Sequence, residues 1–236
     1  MGLIPAGPVG FDLELRDVTY ESAISAVEAT YANQDVQQVR IGAIILAAGS
    51  SQRMGRPKML LPWGDTSILG HVIQLWQALV GEQVTVVIAG TATHLQQELE
   101  RLNFPRQNWI QNSTPERGMF SSIQCAANWG QWPETLTHWT LVLGDQPHLG
   151  LETLRKLLDF ARRNPGQVCQ PTRRSRWRHP VVLPKPVFKQ LSRSTAQTLQ
   201  EFLASCDRAA LECEDPGFDY DIDTPEDYRK ALKLAR

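Results

Sequence analysis

The sequence predicts a doubly wound α/β domain built on a mostly parallel sheet. Three observations support this prediction: short apolar runs without polar interruption, helical periodicity in the stretches between them, and a length of 236 residues. A continuous apolar run of roughly four to eight residues is typical of a strand that is covered on both faces, as in a parallel sheet. A chain of this length can form one large domain that buries roughly 70% of its unfolded surface.

The first half of the chain alternates between these two kinds of stretch. An isoleucine-rich run at 41–46 predicts the first strand, and apolar residues at helical spacing over 67–79, ending before Gly81, predict the first helix. Further strands are expected at 84–89 and 108–111, and further helices at 93–102 and 118–129. Such alternation with short connections is typical of a doubly wound α/β sheet.

The second half continues the alternation less regularly. Strands are expected at 139–143, 168–171, 180–183 and 209–214, and helices at 151–163, 195–204 and 224–234. The last helix has a capping pattern, with Thr224 before it, Pro225 in its first turn and Asp227 three residues after the cap. Residues 1–40 lack such a pattern and are expected to be an appendage of unknown role, so the predicted domain spans 41–236.

The composition excludes several classes of function. The formal net charge of −1 does not provide the basic field that binding to nucleic acid or to an anionic membrane would require. The four cysteines include no Cys-x-x-Cys pair and are expected to be buried or free thiols. No stretch approaches the ~20 apolar residues of a membrane span, and the N-terminus lacks a signal-peptide pattern. We therefore expect a cytoplasmic protein that has neither a nucleic-acid nor a membrane partner.

The segment after the first strand is the strongest candidate for a binding site. Ala47, Ala48 and Gly49 allow a ligand to approach the backbone closely, and the cations Arg53 and Lys58 are spaced to reach different oxygens of one polyphosphate. The segment lacks the Gly-Lys-Ser/Thr of a Walker loop and the Gly-x-Gly-x-x-Gly of a dinucleotide loop. We predict a nucleoside triphosphate site here, with an ordinary strand-to-helix turn as the alternative.

Carboxylates follow later strands, and ligands of open α/β sheets bind at the carboxyl ends of strands. Asp145 comes directly after a predicted strand, and either Asp221 or Asp223 can supply a second carboxylate. Magnesium is typically held by one or two carboxylates together with water and substrate phosphates. The alternatives are that Asp145 is an ordinary turn residue and that Asp223 caps the turn into the last helix.

Other polar positions are open to two interpretations. Gly118 begins a predicted helix whose free amides and nearby Ser122 suit an anion, although a capped surface helix has the same pattern. His179 either contacts the substrate or bonds to a backbone carbonyl, and the arginines of 173–178 either form a solvated loop or hold an anionic acceptor. The remaining histidines have no metal-ligand spacing and are expected at the surface: His71, His94, His138 and His148.

Five motifs together resemble the MobA-like NTP transferase family, in its molybdenum cofactor cytidylyltransferase branch. They occur in the family's order and span about 41–230: Leu-Ala-Ala-Gly-Ser-Ser-Gln-Arg-Met-Gly-Arg-Pro-Lys at 46–58, Gly-Met-Phe-Ser-Ser-Ile at 118–123, Gly-Asp-Gln-Pro at 144–147, His-Pro-Val at 179–181 and Asp-Ile-Asp-Thr-Pro-Glu-Asp at 221–227. Two departures concern the acceptor side: Arg178 stands where the family usually has Gly, and residues 191–197 replace its Gly-Asp-x-Gly-x-Arg loop.

The resemblance implies a Rossmann-like fold of the nucleotide-diphospho-sugar transferase type and a role for each matching residue. Asp145 and Asp223 would hold Mg²⁺, with Asp221 as the weaker candidate, and Arg53, Lys58 and Asp145 would be catalytic. His179 would contact the acceptor substrate. The nucleotide-binding residues would be Leu46, Ala47, Ala48, Gly49, Arg53, Lys58, Asn112, Gly118 and Ser122.

The implied reaction is magnesium-dependent transfer of a nucleoside monophosphate, CMP in this branch, from a nucleoside triphosphate. The acceptor would be a phosphate-bearing small molecule, molybdopterin or the molybdenum cofactor, and pyrophosphate would be released. A molybdoenzyme or its chaperone is a further candidate partner. Two alternatives stay open: a nucleotidyltransferase acting on sugar or polyol phosphates, and a non-catalytic nucleotide- or cofactor-binding assembly factor for molybdoenzymes.

Overall fold

The computed structural model describes residues 38–49, 54, 57–81 and 83–234. Within them the strands are β1 (Ile41–Leu46), β2 (Pro62–Trp63), β3 (Thr66–Ser67), β4 (Val84–Ala89), β5 (Trp109–Asn112), β6 (His138–Leu143), β7 (Val168–Arg173), β8 (Arg176–Trp177), β9 (Val181–Pro184) and β10 (Arg208–Glu212). The α-helices are α1 (Ile68–Val80), α2 (Thr93–Arg101), α3 (Met119–Ala127), α4 (Leu151–Arg163), α5 (Lys185–Leu191), α6 (Leu199–Leu203) and α7 (Pro225–Leu234).

Eight strands form one mixed sheet in the order β10-β7-β9-β6-β1-β4-β5, with β8 paired to β7 outside this path. The four strands from β5 to β6 are mutually parallel. Strand β9 runs antiparallel to its neighbours β6 and β7, and β10 is parallel to β7. The predicted α/β fold with a mostly parallel, doubly wound sheet is therefore confirmed.

Strand β1 lies in the interior of this sheet, between β6 and β4, and is covered on both faces. All six of its residues are buried. Ile45 belongs to the apolar cluster that includes residues of α1 and α4, whereas Ile44 belongs to the cluster that includes residues of α3 and α5. The continuous apolar run is explained by this arrangement, because alternate side chains of a strand point to opposite faces.

Two predicted helix ends have the expected local chemistry. Helix α1 begins after Ser67, whose hydroxyl accepts a 3.0 Å hydrogen bond from the Gly70 amide, and it ends at Gly81, whose φ of 63° favours glycine. Helix α7 begins after Thr224, whose hydroxyl accepts from the Asp227 amide while the Asp227 carboxylate accepts from the Thr224 amide. The predicted capping pattern of the last helix is thus confirmed.

Several local predictions were wrong. Helix α5 was not predicted, although Pro186 in its first turn is a known helix-start signal, and the helix expected at 195–204 covers only Leu199–Leu203. His138 and His148 are buried rather than at the surface, with 4% and 5% exposure. Both rings bond to backbone carbonyls of segments distant in the chain, which no local sequence pattern reveals.

Some sequence predictions are not tested by the described residues. The division of the chain at residue 40 stays a prediction, and Arg53 lies outside the described residues. Of the helices between residues 38 and 234, none combines the length and apolar character needed to cross a membrane. The cytoplasmic location stays a prediction.

Candidate active site

A cleft of about 1050 Å³ opens at the carboxyl edge of the parallel strands. It lies where the strand order reverses, because β4 and β5 follow on one side of β1 and β6 on the other. Ligands of doubly wound sheets bind at such a switch point. Predicted site residues that line the cleft are Leu46, Ala47, Ala48, Gly49, Lys58, Gly118, Ser122, Asp145 and Asp223.

Lys58 joins the two predicted metal ligands within this cleft. Its Nζ donates to Asp145 Oδ2 at 2.5 Å and to Asp223 Oδ1 at 3.1 Å. The three side chains are 11%, 18% and 29% exposed in that order, so the group is largely shielded from water. Burial lowers the pKa of the Lys58 ammonium, but the charges and hydrogen bonds of Asp145 and Asp223 outweigh burial and raise its pKa above the ordinary value.

The local sequence explains how Lys58 reaches Asp145. The amide of Gly144 donates to the Leu46 carbonyl at 3.1 Å, which holds the end of β6 beside the end of β1. A side chain at Gly144 would lie only 3.0 Å from Cε of Met59 and 3.1 Å from that carbonyl oxygen. Glycine therefore lets the short helix Lys58–Leu60 pack against the strand ends, with Met59 buried and Lys58 beside Asp145.

The two candidates for the second carboxylate differ in their contacts. Ile222 is fully buried, while Asp221 and Asp223 on either side of it both line the cleft. Asp221 is exposed and accepts a 3.1 Å hydrogen bond from Gln146, whereas Asp223 approaches the same ammonium group as Asp145. Thr224 and Asp227 cap helix α7, so the Asp223 carboxylate contacts Lys58 at the start of this helix instead of providing its capping box.

The other end of the cleft is formed by backbone and small side chains after β1, β4 and β5. The Ala47 amide donates to the Val87 carbonyl at 2.8 Å, and Gly49 is exposed at the cleft surface. Gly118 has a φ of 86° and leads into α3, where Ser122 is 3% exposed. A backbone conformation of this kind strongly favours glycine, so the turn that opens the cleft beside α3 depends on Gly118.

Asn112 does not line the cleft, although it was predicted to bind the nucleotide. It is fully buried at the end of β5, where its Nδ2 donates to the hydroxyls of Ser121 and Ser122 at 2.8 and 2.9 Å. Its Oδ1 accepts from the Thr114 amide at 2.9 Å. The structure thus places Asn112 behind the cleft, where it connects the loop 113–118 to the first turn of α3.

His179 also lies outside the residues that line the cleft. It is half-buried before β9, and its Nδ1 is 3.4 Å from the Leu141 carbonyl oxygen. Burial lowers the pKa of His179, and the Leu141 carbonyl, Asp145 and Asp221 oppose this shift without reversing it. Because β9 runs antiparallel to β6, its start lies at the same edge of the sheet as Asp145.

Three of the four arginines predicted as a solvated loop or an anion site converge on one carboxylate. Asp219 accepts from Arg173 at 2.7 Å and from Arg178 at 3.3 Å, and Arg174 lies 3.6 Å away. The hydrogen bond and charge of Arg173 hold the pKa of Asp219 below its ordinary value. Asp219 therefore compensates one of the four positive charges of this run and ties three of its arginines to one point.

Sequence reasoning missed two ionisable residues that line the cleft. His94 and Glu116 are both exposed and lie beyond the ends of β4 and β5. Their signal was available, since each comes within five residues of a predicted strand end. His94 had been expected at the surface, and the structure places it on the surface of the cleft itself.

The carboxylates of this site are too few to enclose a metal ion alone. Over the described parts of residues 38–234, no three His, Cys, Asp or Glu side chains are grouped so that they could hold a metal. Asp145 and Asp223 nevertheless share one cation, the Lys58 ammonium, in this structure. A divalent ion bound here would therefore take its remaining ligands from water or from a bound phosphate.

Comparison with known proteins gives three kinds of match. The pattern of the MobA-like NTP transferase domain matches residues 43–210. The chain is 30% identical over 190 residues to the molybdenum cofactor cytidylyltransferase of Escherichia coli K12, covering 80% of this chain and 93% of that protein.

Solved structures share the fold. Rv0371c of Mycobacterium tuberculosis, in complex with manganese, superposes with a TM-score of 0.61 at 23% identity, covering 83% of this chain and 99% of that one. The 4-diphosphocytidyl-2C-methyl-D-erythritol synthase of Anaerococcus prevotii superposes with a TM-score of 0.64 at 14% identity, covering 85% and 98%. At these identities the superpositions establish a common fold and leave the substrates to other arguments.

Proposed function

The chain belongs to the MobA-like NTP transferase family and is a nucleotidyltransferase, and we propose that it transfers CMP from CTP to the phosphate of molybdopterin or of the molybdenum cofactor. The observation that carries the site assignment is the meeting of Lys58, Asp145 and Asp223 at one end of the cleft. The choice of CTP and of the acceptor is supported by the Escherichia coli relative, which aligns over most of both chains.

A divalent ion fits between the two carboxylates. Asp145 and Asp223 each approach one ammonium nitrogen to within 3.1 Å, so the carboxylates are close enough to share a single cation. Two oxygen donors with room for water and phosphate suit Mg²⁺. We propose that Asp145 and Asp223 hold this ion, which when bound neutralises negative charge on the triphosphate and on the leaving pyrophosphate.

The nucleotide would lie along the cleft with its triphosphate toward β6. The end near β6 carries Lys58, Asp145 and Asp223, while the end near β4 and β5 is lined mainly by small and apolar groups and by backbone. A base and ribose suit the second end, since apolar walls with a few polar groups are typical of small-molecule sites. Lys58 would exchange its contacts with the carboxylates for contacts with phosphate oxygens, and Arg53 would add a second cation.

The reaction needs no general base in this arrangement. An oxygen of the acceptor phosphate attacks the α-phosphorus of the nucleoside triphosphate, the bond from that phosphorus to the bridging oxygen breaks, and pyrophosphate leaves with the bonding electrons. The attacking phosphate is already ionised at neutral pH, so no proton has to be removed from it. The protein contributes alignment of the reacting groups and stabilisation of the charge that develops on the phosphates.

The acceptor side gives a specific reason to keep a second candidate. The family's Gly before His179 is replaced by Arg178, and the arginines of this region contact Asp219. A sugar or polyol phosphate as acceptor would use the same nucleotide end with a different acceptor end. The 4-diphosphocytidyl-2C-methyl-D-erythritol synthase of Anaerococcus prevotii has this fold. One fold can accommodate different acceptors, so the fold alone does not select molybdopterin.

One assay separates these candidates. Pyrophosphate release is measured with CTP, GTP, ATP and UTP, each with molybdopterin, with a sugar phosphate and with a polyol phosphate, in Mg²⁺ or Mn²⁺. We expect release with CTP and molybdopterin, and we expect the Asp145→Asn variant to lose it. Release with a sugar or polyol phosphate alone would replace the proposed acceptor, while a preference for another triphosphate would replace the proposed base.

A further inference from the structure

His148 is a buried side chain that the proposed reaction does not use. It lies three residues after Asp145, beyond the end of β6, and is 5% exposed. Its Nε2 is 3.1 Å from the carbonyl oxygen of Gly217 and 3.1 Å from that of Tyr220. Carbonyl oxygens only accept hydrogen bonds, so Nε2 carries the proton and its N–H group donates a shared hydrogen bond to both oxygens. The other ring nitrogen, Nδ1, is buried and has no hydrogen-bond partner among the described residues.

These bonds belong to a seam that joins two distant segments of the chain. The amide of Gly150 and the hydroxyl of Thr153 donate to the carboxylate of Asp215 at 3.2 and 2.8 Å. Together with the bonds of His148, they tie segment 148–153 to segment 215–220. The seam therefore lies directly after Asp145 on one side and directly before Asp221 and Asp223 on the other.

The seam matters because the chain itself does not fix the distance between the two carboxylates of the cation site. Asp145 follows β6 and Asp223 precedes α7, so their spacing beside Lys58 depends on the packing of the buried Ile222 and on contacts between the two segments. Gln146 also bridges the segments through its 3.1 Å bond to Asp221, but Asp221 is exposed and its bond competes with water. The two bonds of His148 are shielded, and they are the ones that a water molecule cannot readily replace.

We propose that His148 is a positioning residue, which fixes the spacing of Asp145 and Asp223 and thereby sets the affinity of their site for a divalent ion. This inference rests on the proposed function only in taking that pair as the metal site. Residues that orient metal ligands without touching the metal typically change metal affinity by about 10- to 100-fold when they are replaced. The inference needs no assumption about the acceptor.

A matched control exists at the other end of the same strand. His138 begins β6, is 4% exposed, and has its Nε2 2.9 Å from the Pro165 carbonyl oxygen. Replacing either histidine with phenylalanine keeps a buried ring and removes its hydrogen bonds, so both variants lose comparable local interactions. Only His148→Phe should loosen the segments that carry Asp145 and Asp223.

The test measures Mn²⁺ binding by electron paramagnetic resonance, with a non-hydrolysable CTP analogue bound and without turnover. Circular dichroism melting first fixes a temperature at which every variant is folded. We expect His148→Phe to raise the Kd of Mn²⁺ about tenfold or more and His138→Phe to change it less than about threefold. His148→Gln, whose amide can donate near the Nε2 position, should bind Mn²⁺ with intermediate affinity and serves if His148→Phe does not fold.

The alternative outcomes are distinct. Wild-type affinity in folded His148→Phe, an equal loss in His138→Phe, or a loss in His148→Gln as large as in His148→Phe would overturn the role of His148 while leaving the proposed function in place. Failure of the wild-type protein itself to bind Mn²⁺ would overturn the proposed metal site and this inference with it.

Discussion

The two halves of the sheet edge use their charged residues differently. At the half formed by β5, β4, β1 and β6, which we call the nucleotide half because we propose that it binds the nucleotide, Lys58 and two carboxylates meet at the cleft. At the half formed by β9, β7 and β10, which we call the acceptor half because we propose that the acceptor binds there, Arg173, Arg174 and Arg178 surround Asp219. In the first half the paired charges border the cleft, where a ligand can exchange for them, whereas in the second the arginines pair with a carboxylate outside the residues that line the cleft.

The strand directions explain part of this difference. The four strands of the nucleotide half are parallel, so every strand end and following loop faces the same cleft. In the acceptor half, β9 is antiparallel and brings the segment before it, with Arg178 and His179, to that edge. Parallel strands bring all of the loops that follow them to one cleft, which favours a nucleotide-binding arrangement common to the family. The half that contains the antiparallel strand is where the chain departs from the family motifs.

The largest expected effect falls on the nucleotide half. Asp145→Asn removes one of the two carboxylates that would hold the divalent ion, and we expect kcat to fall by about 10²- to 10³-fold, the usual loss for one electrostatic contact of a transition state. Triphosphate binding should change only a few-fold, because the rest of the cleft is intact. Steady-state kinetics and calorimetric binding of CTP test this prediction.

The control for this variant is Asp221→Asn, which lines the same cleft but contacts Gln146 instead of Lys58. We expect it to lower kcat less than about tenfold. Equal losses in the two variants would mean that the cleft does not distinguish Asp145 from a neighbouring carboxylate, and near wild-type activity of Asp145→Asn would remove the metal assignment.

Lys58→Met should give the next effect, a decrease in kcat/KM for the triphosphate of about 10- to 100-fold, since one charge-assisted contact to phosphate is lost. Lys185→Met is a matched control, because Lys185 contacts the Glu134 carbonyl at the opposite, amino end of β6. Kinetics with varied CTP check the prediction. A change confined to the acceptor's KM would instead place Lys58 in the acceptor half.

A stability measurement tests the scaffold behind the nucleotide end. Asn112→Ala leaves Ser121, Ser122 and the Thr114 amide without their buried partner, and we expect a loss of about 1–3 kcal/mol in the free energy of unfolding. Asn128→Ala removes an exposed asparagine at the end of α3, the helix that contains Ser121 and Ser122, and should cost less than about 0.5 kcal/mol. Urea unfolding of both variants gives the comparison, and equal costs would contradict it.

The smallest expected effect is a dependence of stability on pH. Burial lowers the pKa of both His138 and His179, so the folded protein binds fewer protons at these rings than the unfolded chain. Their contribution is fully present above about pH 6.5 and is lost as the pH falls through the lowered pKa values. We expect the free energy of unfolding to fall between pH 7.5 and 5.5, and His138→Gln to reduce that slope. An unchanged slope in this variant would show that His138 does not take part.

Much of the nucleotide half could be predicted from sequence because its signals are local. Strand ends are identified by the apolar run of β1, the small residues after it, and Asp145 directly after β6. Ligands of an open sheet bind at the carboxyl ends of its strands, so these positions also predict the binding edge. Nine of the predicted residues line the cleft. The helix cap at Thr224 is local in the same sense, since its partners are three residues apart.

What the sequence by itself determined was the fold class and the loops on which a nucleotide could bind, since periodicity and covalent neighbours are visible in the chain. Only the tertiary structure decided that Asp223 rather than Asp221 faces Lys58, that Asn112 lies behind the cleft, that Asp219 holds the arginines, and that His148 is buried against Gly217 and Tyr220. Each of these depends on contacts between distant segments. Such contacts are set by strand register and packing, which side-chain identity alone does not specify.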